Sequence, residues 1–172
     1  MKKKVKLEDE PLSLSQIAQL KNVSDDYSHL GQDYILTHIT TNTSYFYAPA
    51  ARRFDGFIII ISVKGTIKIT IDLDTFEVDP GSVTFVAPDR VFKPIDWDGD
   101  ELDAYLLFLS NRFVYDLNIE LNAINTNLFT SAKQVMDLRP DQLDVLIKYF
   151  HMLHQNARSE ERRVGKECRS RW

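Results

Sequence analysis

The sequence predicts a mainly β protein, a small antiparallel barrel followed by helices. Three observations carry this expectation. Between Phe57 and Leu109, short runs rich in Ile, Val and Phe alternate with tight-turn residues. No helix-length pattern separates those runs, as crossover connections in a parallel sheet would require. From Pro140 onward the apolar spacing changes from two residues to three and four.

The elements follow in order. Leu12–Leu20 carries a weak amphipathic patch through Leu14, Ile17 and Leu20, read as a short helix or a flexible arm. Asp33–Ile39 reads as a strand and Thr40–Ser44 as a turn. Phe57–Val63 (FIIIISV) lacks alternation, so either both faces are covered or one lines an interior while the other meets a second layer. Lys64–Gly65 reads as a hairpin turn. Thr66–Ile71 then alternates, with Ile67, Ile69 and Ile71 pointing into the barrel. Asp72–Asp74 turns the chain into Thr75–Val78, and Pro80–Gly81 turns it into Ser82–Ala87, where Val83 and Phe85 are the expected inward pair. The acidic run Asp96–Glu101 reads as a turn before a closing strand over Leu102–Leu109.

After Ser110, Asn111–Leu121 reads as a poor helix and Asn122–Asn127 as a loop. Pro140 suits the first turn of a helix reaching about Ala157. Its stripe of Leu143, Leu146, Ile147, Phe150, Leu153 and His154 packs either on its own domain or on a partner subunit. The expected division is therefore an N-terminal arm or short helix over 1–31, a barrel over 32–110 and a helical dimerisation segment over 111–158. A basic tail over 159–172, disordered or artefactual, completes it.

Composition narrows the function classes. A formal net charge of -4 over 172 residues leaves no global basic footprint for nucleic acid. The single cysteine, Cys168, precludes an intramolecular disulfide framework and suits a reducing compartment. Leu7–Ser15 is broken by Glu8, Asp9, Glu10 and Pro11, which a signal peptide would not tolerate, and Phe57–Ile61 is too short to span a bilayer. The reading is a cytoplasmic protein with no membrane contact.

Catalytic chemistry finds little support. Of the four histidines, His38 alone lies near the barrel strands and has no HxH or HxxxH companion, while His151 and His154 read as helix-surface or interface residues. No GxSxG, P-loop or dinucleotide fingerprint occurs, and the acidic run lacks the pattern of a calcium loop. No catalytic residue, metal or cofactor is expected. A binding site is easier to place. Tyr45, Tyr47, Arg52, Arg53 and Trp97 flank the barrel strands, with rings able to stack and guanidinium groups able to bind hydroxyls or carboxylates.

The hairpin VKGTIKITI at 63–71, the segment DPGSVTFVAPDRVFKP at 79–94, the strand LDAYLLFLS at 102–110 and the helical residues Pro140–Ala157 together resemble one family. That family is the N-terminal sensor domain of AraC-type transcriptional regulators, a cupin-like double-stranded β-helix, and the match spans roughly residues 20–157. Where the family often has a histidine after its second proline, this chain has Phe92–Lys93. The resemblance implies a small-molecule effector, a homodimer formed through the helices, and DNA contact only through a C-terminal helix-turn-helix module. No segment after Ala157 is long enough for that module. The alternatives are a metal-free cupin-type enzyme, such as a sugar isomerase, a carbohydrate-binding module, or a partner protein using the barrel as scaffold.

Overall fold

The computed structural model describes residues 11–19, 27–30, 32–42, 51–117 and 135–169. Among these residues lie eight strands: β1 Tyr27–Leu30, β2 Tyr34–Thr40, β3 Arg52–Arg53, β4 Gly56–Ile71, β5 Asp74–Val78, β6 Ser82–Val86, β7 Val91–Ser110 and β8 Val135–Asp137. Among the same residues are the helices α1 Leu14–Gln19, α2 Asn111–Asp116 and α3 Pro140–Arg169. All strand pairs are antiparallel, in the order β1-β2-β7-β4-β6-β8, with β3 on β7 and β5 on β4. The fold is therefore mainly antiparallel β with a C-terminal helix, the class the sequence predicts.

Two long strands organise the sheet, and each is longer than the sequence suggests. Lys64–Gly65 is not a hairpin turn. It lies inside β4, at register shifts between Ser62 and Lys64 and between Lys64 and Thr66. Gly65 takes a φ of 77°, a conformation that glycine adopts without steric cost. The Ser62 hydroxyl, fully buried, donates to the Gly65 carbonyl at 2.5 Å and closes the irregularity. Opposite it, β7 passes from Asp98 to Asp103 while β4 advances only from Thr66 to Lys64. The acidic run is thus an interruption within one strand rather than a turn between two.

That interruption reverses the side-chain phase. Before it Ile58 and Ile60 face the main core; after it Ile67, Ile69 and Ile71 do. An uninterrupted strand would have sent these two sets to opposite faces. The sheet can therefore curl around a single interior, which also receives Ile35 and Ile39 of β2, Val78 of β5, Val86 of β6 and Leu102, Leu106 and Phe108 of β7. Leu14 and Ile17 of α1 join that core, so the described part of the N-terminal segment is packed against the sheet. Ser13 and Gln16 cap α1 reciprocally: the Ser13 N–H donates to the Gln16 side-chain oxygen at 2.8 Å, and the Gln16 N–H donates to Ser13 Oγ at 3.4 Å.

The other face of the sheet meets α3. Tyr34, Leu36, Ile61, Val83, Tyr105 and Leu107 form a second cluster with Phe150 and Ala157, against which Leu143, Leu146, Ile147 and Leu153 pack. This resolves the missing alternation of Phe57–Val63, because Ile59, Ile61 and Val63 belong to the same outer cluster as residues of α3. It also corrects one expectation and decides one alternative. Val83 and Phe85 belong to this outer cluster, while Thr84 and Val86 are the residues of β6 buried on the other side of the strand. The pairing of Ile61 with Val83 sets that phase, which alternation alone leaves free. The stripe of Leu143, Leu146, Ile147, Phe150 and Leu153, open in sequence between its own domain and a partner subunit, packs on the chain's own sheet.

The helix itself continues past Ala157 to Arg169, into the predicted tail. Glu, Arg and Lys in that stretch are good helix formers, and Gly165 costs only about 1 kcal/mol. Strands β1 and β8 also escaped the sequence reading. Each is short and borders the sheet.

Two stability predictions follow from this packing. Gly65→Ala should destabilise by about 1–3 kcal/mol, because a Cβ there would lie 2.6 Å from the Glu101 carbonyl oxygen and the φ is positive. Phe150→Ala should cost about 3–5 kcal/mol by emptying the helix–sheet contact. Urea unfolding monitored by circular dichroism would read both.

Candidate functional site

A cleft opens where α3 crosses β2 and β7. It is lined by Leu36, His38, Tyr105, Phe150, His151 and His154 and holds about 270 Å³, its open mouth included. Strand periodicity supplies one wall: Tyr34, Leu36 and His38 alternate along β2, and Asp103, Tyr105 and Leu107 along β7. The register brings His38 directly opposite Tyr105. Helical periodicity supplies the other wall, with His151 and His154 three residues apart.

The side chains interlock. His38 and Tyr105 stack with ring centroids 4.4 Å apart and planes 8° from parallel. Tyr105 also meets Phe150 at 5.4 Å and His151 at 5.9 Å, the latter nearly edge-on at 83°. Behind the stack, His38 Nε2 lies 2.8 Å from Asp103 Oδ1. A carboxylate in that position accepts, so Nε2 carries the proton and the ring is held in one orientation. Beyond the cleft, the Tyr34 hydroxyl donates to the Leu153 carbonyl at 2.9 Å, tying α3 to β2.

What this arrangement offers is binding. Imidazoles supply donors and acceptors, and Tyr105 and Phe150 supply an aromatic wall. Among the described residues, no group of three His, Cys, Asp or Glu side chains is placed to hold a metal ion.

The expected effector residues are not gathered here. Tyr45 and Tyr47 lie outside the described residues. Arg52 and Arg53 form β3 and pair with Phe92 and Val91. Trp97 sits further along β7 opposite Ile67 and packs against the main core. Five strand positions separate Trp97 from the partner of Arg52, roughly 17 Å at the usual rise. Of the expected inward residues, Ile67, Ile69 and Ile71 are in that core, and Val83 and Phe85 are not. His154, expected at a dimer interface, lines the cleft. His38, which has no histidine companion in its own strand, meets His151 of the helix surface only through the β2–β7 register and the docking of α3.

The acidic interruption of β7 is charge-matched by β4. Lys64 reaches Glu101 at 2.9 Å, and Lys68 reaches Asp98 at 2.6 Å and Glu77 at 3.7 Å. These pairs are exposed, and solvent screens them. They still raise both lysines above the ordinary value, through the hydrogen bonds to Glu101 and Asp98 first and their charge second.

Comparison with known proteins gives no family model and no curated protein that matches this chain. Solved structures with similar backbones include ToxT from Vibrio cholerae O395 bound to (E)-4-(8-methylnaphthalen-1-yl)but-3-enoic acid. It is 10% identical, with a TM-score of 0.43, covering 70% of this chain and 48% of that one. An RmlC-like cupin with a double-stranded β-helix fold from Methanocaldococcus jannaschii is 13% identical, with a TM-score of 0.38, covering 58% and 90%. A cupin superfamily protein from Desulfitobacterium hafniense DCB-2 is 12% identical, with a TM-score of 0.39, covering 62% and 100%. Likeness at this level assigns no function to the chain. Among the described residues, no helix is long and apolar enough to cross a membrane.

The helix–sheet contact gives a pH prediction. Burial, then the charge of Asp33, raises the Tyr34 hydroxyl above its ordinary value of 10.0. The unfolded chain therefore loses this proton first, and stability falls as pH rises through 10. Lys64 and Lys68, also raised, act in the same direction above 10.5. Thermal melts from pH 8 to 11 should decline most steeply above 10. Tyr34→Phe should cost about 1 kcal/mol at neutral pH through the lost bond to Leu153, and should shallow the alkaline decline.

Proposed function

We propose that this chain is the effector-sensing and dimerisation part of an AraC-type transcriptional regulator, built on a cupin-like barrel. The observation that supports this reading is a cleft whose walls come from two bodies, β2 and β7 on one side and α3 on the other. A molecule bound there touches both. Its binding energy would then favour one placement of the helix over others, a population shift that a following domain could read. In this reading the chain binds rather than catalyses, and DNA contact belongs to a helix-turn-helix module that follows the sensor.

The dimerisation surface in this reading is not the stripe expected from the sequence, since that stripe is covered. It is the opposite side of α3, where Val145, Tyr149 and Met152 stand four and three residues apart, each about half exposed. Tyr149 alone is 55% exposed, a large aromatic surface for an isolated helix to leave to water.

Sedimentation separates the two surfaces. Tyr149→Asp should convert a dimer to a folded monomer, whereas Leu146→Asp should lower the melting temperature by unseating α3. A dimer unchanged by Tyr149→Asp would remove the surface from the proposal. Native mass spectrometry of the protein as purified should find a small molecule bound at one per chain. Hydrogen exchange in α3 should slow when that molecule is present. A bound molecule that leaves α3 exchange unchanged would count against sensing, and substrate turnover would favour a cupin-type enzyme.

A further inference from the structure

We infer that α3 is a movable wall of the cleft, closed in this structure, and that an organic ligand enters only when the helix lifts off the sheet. The inference rests on the sensing reading above and adds how the site is gated. Its starting point is the room available. The space that water can enter in the cleft is about 40 Å³. One water needs roughly 10–15 Å³, whereas an engineered cavity that takes up benzene measures roughly 150 Å³. The closed cleft therefore has room for a few waters and too little for a ring. Its floor is shut as well: Tyr105 and Phe150 are buried, and His38 stacks on Tyr105.

One wall cannot yield cheaply. Leu36 and His38 of β2 are paired with Leu107 and Tyr105 of β7. On its other side β7 is paired with β4, through Leu107 with Ile59 and Tyr105 with Ile61, and β2 is backed by β1. Spreading those residues apart breaks backbone hydrogen bonds between strands. A helix closes its backbone hydrogen bonds within itself, so α3 can shift as a body without opening a ladder. What it gives up is side-chain contact, and that contact is shallow. Phe150 and Ala157 are buried, but Leu143, Leu146, Ile147 and Leu153 each keep part of their surface in water. Ile60, Ile67 and Leu106 of the main core keep none.

The Tyr34 hydroxyl is the catch. It donates to the Leu153 carbonyl at 2.9 Å from a buried side chain. Leu153 lies inside α3, where its carbonyl already serves the helix, so the hydroxyl is a second donor to it. When the helix lifts, the carbonyl keeps its helical partner and the hydroxyl passes to water, leaving neither stranded. The edge-on contact of His151 with Tyr105 is released in the same movement. His154 and Asn156 make further interactions within the fold and add to the closed placement. A ligand that fits only the open placement binds in proportion to the open fraction, and once bound it fixes the helix there.

Hydrogen exchange on the full chain, read by mass spectrometry at rising urea below the unfolding transition, makes the test. Amides of α3 between Phe150 and Ala157 should exchange at least about tenfold faster than those of β4 between Ile58 and Ile61, with a weaker dependence on urea. A helix lifted from its sheet is marginal alone, and lifting it exposes less surface than global unfolding does. Tyr34→Phe should speed the α3 amides by about fivefold, the worth of one hydrogen bond. As a second readout, N-ethylmaleimide should label Leu36→Cys faster than Ile60→Cys, both in a Cys168→Ser chain. Where a cysteine variant fails to fold, exchange in the unaltered chain decides. Equal exchange and equal urea dependence in α3 and β4 would overturn the proposal, because the helix would then leave only with global unfolding. So would α3 exchange that folded Tyr34→Phe leaves unchanged. If α3 stays with the core and a copurified molecule still slows its exchange, the gate is wrong and the sensing reading stands. If α3 opens locally and no small molecule binds the cleft, the sensing reading falls and with it the gate's role in ligand entry.

Discussion

The structure depends on a break in strand phase. At Ser62–Gly65 the chain changes which residues face inward, from Ile58 and Ile60 to Ile67, Ile69 and Ile71. Strand β7 makes room opposite by carrying extra residues between Asp98 and Asp103. Without that offset a sixteen-residue strand would place three of its seven isoleucines, Ile67, Ile69 and Ile71, in the wrong layer. Gly65 is suited to the site because its φ is positive and the Glu101 carbonyl leaves no space for a side chain. Buried Ser62 supplies the hydrogen bond that closes the corner.

The consequence is a sheet used on both faces. Its inner face closes around one core, sealed in part by Leu14 and Ile17 from α1. Its outer face is as apolar as its inner one around Ile61, Val83 and Leu107, and α3 covers it. The cleft sits where that cover ends and polar residues take over. His38 and Tyr105 continue the outward-facing series of β2 and β7, and His151 and His154 continue the inner side of the helix. The candidate site is thus a boundary of the packing, held by the same strands that form the core.

Several elements were readable before any coordinates. Ile67, Ile69 and Ile71 alternate cleanly, Pro80–Gly81 marks a turn, and Pro140 opens a helix with an apolar stripe. The cap on α1 is also legible, as Ser13 followed three residues later by Gln16. Other readings failed for definable reasons. Lys64–Gly65 has the composition of a hairpin turn, and nothing local distinguishes a turn from a bulge inside a long strand. Val83 and Phe85 alternate correctly, yet alternation gives the period of a strand and not its phase.

By itself the sequence determined the fold class, because the period of apolar residues is a local property of strands and helices. It also determined that α3 has one apolar face and must bury it. Only the tertiary structure decided against what that face is buried, since a sheet's outer surface and a partner's helix satisfy it equally well in one dimension. The same holds for the cleft. His38, Tyr105, His151 and His154 are dispersed over more than a hundred residues, and only pairing register and helix docking bring them to one place.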